Sequence, residues 1–279
     1  MIDLHVHTSC SDGDRTPEQL IDLCVESGVE VVSITDHDTV SGVDRARKQG
    51  IEKGVRVIPG IEMSTVWQQR EVHLVGLFVE EKHPQLLEYC RWAGNERDHR
   101  GRAMIARLRE LGISITSQEE EDSCSSRARM GMLLIQKGVV SDMRSAFRQY
   151  LSREGKAYVD KERIPIENAI GVIHQAGGLA VLAHLSTIST HEDTLRKMVS
   201  QLKDRGLDGI ECYYSEYSWN FSRFCQRLAD ELDLAKSGGS DFHGDSKRGL
   251  QLGRGYGGLN IPLSALRSLE QRKKQNDCT

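Results

Sequence analysis

Short apolar runs alternate with amphipathic stretches over most of this chain. Met1, Ile2 and Leu4 open the first run, which reads as a strand carrying His5 and His7 two residues apart. Thr16-Pro17-Glu18-Gln19 then supplies an N-cap, a proline at the first helical position and a capping-box glutamine. Leu20, Ile21, Cys24 and Val25 give that helix one apolar face, and Gly28 ends it. VEVVSIT follows as a buried strand running into Asp36-His37-Asp38. A helix over residues 41–53 leads to the strand VRVIPG and then Glu62. This strand–helix alternation predicts a parallel sheet covered by helices. MSTVW and EVHLVGLFV, separated by Gln68-Gln69-Arg70, read as a hairpin-like pair.

The pattern changes near residue 82. PQLLEYC through RAMIARLRELG is helical and ends at Gly112, a polar acidic stretch covers residues 118–126, and shorter helices are expected near 130–137 and 142–152. No strand is expected among them, so residues 82–164 read as a helical insertion domain between two parts of a barrel, 1–81 and 165–279. The alternation resumes with a helix over 166–175, the strand LAVLAH, a helix near 192–205, the strand GIECYY, a helix over 219–232, and LAKSGGSDFH. The tail after Glu270 is expected to fray.

Composition narrows the class. At 279 residues, 38% hydrophobic and 28% charged, the chain is an ordinary globular protein with room for one large domain or two smaller ones. No run approaches the roughly 18 apolar residues of a membrane span. Seven cysteines, odd in number and without a C-x-x-C pair, fit reduced thiols. With no basic-then-apolar leader at the start, a cytoplasmic protein is expected. A net charge of −4 argues against a general nucleic-acid binder, but residues 82–163 carry +4 and the remainder −8. The insertion thus offers positive charge that a phosphate substrate would want, although a solvated helical surface explains it comparably.

The candidate chemistry lies where strands end. In a strand, residues two apart share a face, so His5 and His7 can reach one metal ion. Asp12 sits in a Ser-Asp-Gly turn just beyond. His37, Glu62, His184, Asp241 and His243 each stand at or just past the end of an apolar run, while His73 lies inside its strand. Carboxyl ends of parallel strands converge on one rim of a barrel, where barrel enzymes carry their chemistry. Six of the ten histidines fall in this set. The other four, His83, His99, His174 and His191, lie on expected helices or their edges.

DLHVHT-x-x-SDG, TDHDT, PGIE, a strand histidine, AH and SDFH, in this order, resemble the PHP (polymerase and histidinol phosphatase) metal-dependent phosphoesterases. The likeness spans the chain and is greatest to the branch of 3′,5′-nucleoside bisphosphate phosphatases and RNase AM-type 5′-to-3′ exoribonucleases. It implies an α/β fold, a distorted (β/α)7 TIM-like barrel with the insertion as a substrate-binding cap, and two to three divalent metals. Carried over by position, His5, His7, Glu62 and Asp241 would bind the first metal. Glu62 would bridge to a second on His73 and His184, and Asp12, His37 and His243 would hold the third. Of these, Asp12, His37, Glu62 and His243 would take part most directly in the chemistry. Nitrogen and oxygen ligands without thiolate suit manganese, zinc, iron or magnesium, and ligand type decides no further; manganese is the first expectation. The implied reaction is attack on a phosphate ester by a hydroxide shared between cations. Asp36 and Asp38 are expected to orient His37 or substrate, with N-capping an alternative for Asp38.

On the substrate side, the resemblance implies contacts from Arg127, Lys156 and Tyr158, with ordinary surface charge an alternative for Arg127 and Lys156, and Arg129 is expected to supply a replacement cation. Glu211 ends the GIE run and either reaches the site or pairs with a neighbouring cation. Two positions depart from the branch. His184-Leu185-Ser186-Thr187 replaces His-Pro-Gly-Arg, removing a phosphate-binding arginine, and Arg129 stands where a histidine is usual. The expected substrate is a nucleotide or short RNA, with no membrane and no obligate protein partner. A small-metabolite phosphatase of the histidinol-phosphate type and a non-catalytic metal-binding PHP module remain as alternatives.

Overall fold

The computed structural model describes residues 1–277; Cys278 and Thr279 lie outside the described residues. The chain divides into two compact units: Met1–Tyr89 with the chain from Ile164 on, and Cys90–Arg163.

The first unit starts with β1 (Ile2–Val6) and α1 (Pro17–Ser27). Thr16 caps α1 through a capping box with Gln19, and Gly28 ends it in the left-handed conformation at φ 73°. β2 (Val31–Ile34) and α2 (Val43–Lys53) follow, then β3 (Arg56–Trp67) and β4 (Arg70–Leu77). VRVIPG and MSTVW, read separately in the sequence, form the single long strand β3. α3 (Pro84–Glu110) begins in this unit and crosses its boundary. α4 (Ser117–Ser123), α5 (Arg127–Gln136) and α6 (Met143–Ala146), the last continued by a π-helical turn over Phe147–Leu151, belong to the second unit. The chain returns through β5 (Ile164–Pro165), α7 (Ile166–Gln175), β6 (Leu179–Leu182), α8 (Leu185–Ile188), α9 (Glu192–Lys203), β7 (Gly209–Tyr214), α10 (Trp219–Glu231), β8 (Ala235–Gly239) and α11 (Leu263–Asp277).

Seven strands form a nearly closed, barrel-shaped sheet in the order β1-β2-β3-β4-β6-β7-β8, with β5 paired to β3. The seam between β8 and β1 is drawn together just beyond β8, where Asp241 N–H donates to His5 O and His7 N–H to Phe242 O, both at 2.8 Å. Buried Asp3 adds to the seam by accepting from Ser240 N–H and Oγ and from Gly253 N–H. Burial, against these donors, pushes its carboxyl up to about 6. The distortion of the barrel has a definite origin: β4 runs antiparallel to both neighbours, β3 and β6. Leu4, Ile58, Leu77, Leu179, Val181 and Ala235 share a core with Ala265, Leu266 and Leu269 of α11.

Two expectations fail. The acidic stretch holds α4, because Thr116 and Glu119 complete a capping box that stabilises a short helix. The tail does not fray before Asp277; α11 runs through it, held on its buried Leu266 and Leu269. The second unit has its own core, with Met104, Ile105 and Leu108 packed on Met130, Leu134, Ala146 and Leu151. Among the described residues, no helix is long and apolar enough to cross a membrane.

Candidate metal centre

All nine candidate ligands meet at one rim of the barrel. His5 and His7 leave the end of β1 on one face, His37 follows β2, His184 follows β6, and Asp241 and His243 follow β8. Glu62 and His73 lie within strands, on β3 and β4. Ser64 pairs with His73 and Glu62 with Val75, so Glu62 and His73 are diagonal neighbours on one face. Because β4 runs against its neighbours, the early part of the strand reaches the rim. A strand-interior histidine therefore joins residues that stand at strand ends.

Glu62 is the centre of the group. Its Oε1 lies 2.9 Å from both His73 Nδ1 and His184 Nε2. Its Oε2 faces His5 Nε2 at 3.3 Å, His7 Nε2 at 3.2 Å and His37 Nδ1 at 3.0 Å. The two oxygens thus address separate histidine sets. Asp241 Oδ1 stands 3.3 Å from His7 Nε2 and 3.8 Å from His5 Nε2. Asp12 lies 3.2 Å from His243 Nε2 and 3.8 Å from His37 Nε2. Three overlapping clusters have ligand atoms within 4.8 Å of one another: His7, Asp12, His37 and His243; His5, His7 and Asp241; and His37, Glu62 and His73. His7 and His37 each belong to two clusters, whereas the sequence reading shared only Glu62 between cations.

The donor set fits divalent cations. His5 Nε2, both nitrogens of His7, His37 Nδ1 and Glu62 Oε2 are buried without a hydrogen bond. Five unsatisfied polar atoms in one place cost several kcal/mol unless an ion or water takes them. Burial raises the Glu62 carboxyl, but the imidazoles of His37, His5 and His73 outweigh it and hold the group well below the usual carboxylate range. Asp12 and Asp241 are held low in the same way, Asp12 by His243 and His37, Asp241 by Lys247 and His243. Burial drives His37 down to about 4, leaving a neutral imidazole. Against the same burial, the nearby carboxylates of Asp241 and Glu62 lift His7 to about 9, and Glu62 lifts His73 to about 9.

The supporting residues differ from expectation. Asp36 does not orient His37; it accepts from Thr8 N–H at 2.7 Å, Thr8 Oγ1 at 2.6 Å and Ser11 Oγ at 2.5 Å, fixing the turn that presents Asp12. Asp38 caps no helix, since α2 starts at Gly42 without a side-chain cap; it accepts from Ser64 N–H at 2.7 Å and from the Tyr89 hydroxyl. Thr187, where the branch has arginine, turns inward. Its hydroxyl donates to His184 O at 2.9 Å and so accepts from His184 Nδ1–H at 3.1 Å, leaving Nε2 for Glu62. Lys247 and Tyr214, which carried no sequence signal, donate to Asp241 Oδ2 at 2.5 and 3.0 Å, leaving Oδ1 turned to the histidines. Glu211 does reach the site, with Oε1 2.8 Å from His5 Nδ1.

Arg127, Arg129, Lys156 and Tyr158 all lie in the second unit. Arg127 opens α5 with its guanidinium 5.8 Å from the Phe147 ring centroid, and half-buried Arg129 follows on the same helix. Lys156 is exposed. The Tyr158 hydroxyl donates to Asp160 at 3.0 Å, and its carbonyl accepts from Arg107.

A distorted barrel whose rim gathers six imidazoles and two aspartates around a buried glutamate is a metal-dependent hydrolase. Its residues 3–212 match the model of the PHP domain, and the chain belongs to that family. It is 34% identical over 247 residues to the 5′-3′ exoribonuclease Rnm of Escherichia coli, covering 86% of this chain and 84% of that one. To the 3′,5′-nucleoside bisphosphate phosphatase of Chromobacterium violaceum it is 31% identical over 257 residues, 90% of each. A solved structure from Bifidobacterium adolescentis, assigned to the metal-dependent phosphoesterases, superposes with a TM-score of 0.83 at 25% identity, covering 97% of this chain and 96% of that one. The protein is a metal-dependent phosphoesterase.

Proposed function

We propose that this enzyme hydrolyses phosphate esters of nucleotides, namely 3′,5′-nucleoside bisphosphates or short 5′-phosphorylated RNA, with two to three divalent cations, manganese first, held by the nine rim residues. The observation that carries this is Glu62, whose two oxygens face different histidine sets, an arrangement that would suit a carboxylate placed between two cations. When bound, the cations supply acidification of a water and neutralisation of charge on the phosphoryl oxygens. The protein's own part is to hold and orient. His37, neutral at physiological pH, offers a lone pair without first losing a proton. Lys247 and Tyr214 keep one Asp241 oxygen turned away from the histidines. Asp12, His37 and His73 have 14%, 12% and 21% of their side chains exposed, whereas His5, His7 and Glu62 have 1% or less, so substrate approaches over the former edge. The relatives named above support a nucleotide or RNA substrate, and the +4 charge of residues 82–163 supports Arg127, Arg129, Lys156 and Tyr158 as its contacts. The six described cysteines are free thiols, which supports a cytoplasmic setting.

The test is a substrate panel with and without Mn2+. Phosphate released from a nucleoside 3′,5′-bisphosphate, or mononucleotides from a 5′-phosphorylated oligoribonucleotide, is expected only with the cation. Full activity in excess chelator contradicts the metal requirement. Turnover confined to histidinol phosphate shifts the enzyme to small metabolites, and stoichiometric metal with no turnover makes the chain a binding module.

A further inference from the structure

Glu211 lies within β7, 1% exposed, and belongs to none of the three ligand clusters. Its two oxygens are nevertheless committed to two of the candidate ligands. Oε1 stands 2.8 Å from His5 Nδ1, and Oε2 accepts from the backbone N–H of His184. An ionised carboxylate accepts hydrogen bonds and cannot donate them, so His5 Nδ1 must carry the proton in this pair. In a single-proton His5 the lone pair is then on Nε2, the buried, unpartnered nitrogen that faces Glu62 Oε2 and Asp241 Oδ1. The second bond acts on the backbone. His184 has φ 27° and ψ 61°, a conformation a non-glycine residue holds only when its surroundings impose it. Its N–H is pinned by Glu211, while Thr187 sets its ring.

We propose that Glu211 is a positioning residue of the metal centre. It selects the tautomer of His5 and clamps the backbone of His184, aligning ligands that address the two different oxygens of Glu62. The proposal rests on the metal-centre reading above and adds a residue that binds no metal itself. Carboxylate partners of ligating histidines fix ring orientation and proton position in this way, and their loss weakens metal affinity roughly 10- to 100-fold.

Glu211→Gln separates this role from simple packing, because it preserves shape and removes one acceptor. If the amide oxygen keeps the His184 N–H, the amide NH2 meets His5 Nδ1. His5 then accepts there and places its proton on Nε2, where a cation would bind. If the amide is turned, two donors face each other at His184. Glu211→Gln should therefore melt within a few degrees of wild type without metal, yet bind Mn2+ roughly 10- to 100-fold more weakly by titration calorimetry. Glu211→Asp, which keeps the charge, should recover part of the loss. Wild-type affinity in Glu211→Gln overturns the proposal while leaving the metal centre intact. A wild-type protein that takes up no metal overturns the metal-centre reading, and this proposal with it. If Glu211→Gln does not fold, long-range 1H–15N spectra of the Zn2+-loaded wild type decide the matter. A proton on His5 Nδ1 supports the proposal, and one on Nε2 contradicts it.

Discussion

At the scale of single residues, the protons already in the site govern how it takes up metal. His7 and His73 each rise to about 9, above the ordinary histidine value, so the metal-free protein holds protons on both at pH 7. A cation needs those lone pairs and must displace the protons. Apparent affinity should therefore strengthen from pH 7 up to about 9 and weaken as pH falls. Calorimetric titration with Mn2+ at pH 7 in buffers of different ionisation enthalpy should give buffer-dependent heats, reporting proton release. Identical heats in every buffer contradict this. The same residues show what a sequence can reveal. His5, His7, His37, His184, Asp241 and His243 were legible because parallel strands deliver their carboxyl ends to one rim. Lys247 was not, since it lies in an irregular loop whose spacing carries no period. Asp36 and Asp38 were noticed, but their bonds to Thr8, Ser11, Ser64 and Tyr89 were not legible, because a buried carboxylate's partners come from distant segments.

Among elements, the turn after β1 shows how a strand end becomes a binding site. Residues 8–12 carry Asp12, and the turn is anchored by three hydrogen bonds to Asp36 at the end of β2. Replacing Asp36 with alanine leaves those donors unmet and frees Asp12. None of the side chains of Glu62, His5, His7, His73 and His184 is a partner of the Asp36 carboxylate. Asp36→Ala should thus lose one cation while the sites flanking Glu62 persist, and elemental analysis at saturating Mn2+ checks the count. An unchanged count contradicts the role assigned to the turn. β4 marks the limit of the sequence reading at this scale. Its hairpin with β3 was evident from Gln68-Gln69-Arg70, but its pairing to β6 arises from non-local contacts with no local signature. α4 was legible in principle through Thr116 and Glu119 and was obscured by the run of acidic residues around it.

For the whole molecule, the centre depends on bringing the first strand to the last. Gly239 is a close backbone approach within that seam: a Cβ there would lie 2.2 Å from His5 Cβ and 2.5 Å from His5 N. Gly239→Ala must push β1 from β8, which should cost at least the roughly 1–3 kcal/mol typical of overpacking, measurable by chemical denaturation. Metal uptake should fall with it, since His5, His7, Asp241 and His243 flank the seam. Wild-type stability and uptake in this variant would show that closure does not hold the site together. The central claim is that one buried carboxylate, Glu62, stands between two cations. Anomalous diffraction from crystals grown with Mn2+ tests it most directly. Two peaks about 3.5–4 Å apart on either side of the Glu62 carboxylate are expected, one beside His5, His7 and Asp241 and the other beside His73 and His184. A density map with no anomalous peak within bonding reach of Glu62 contradicts the account.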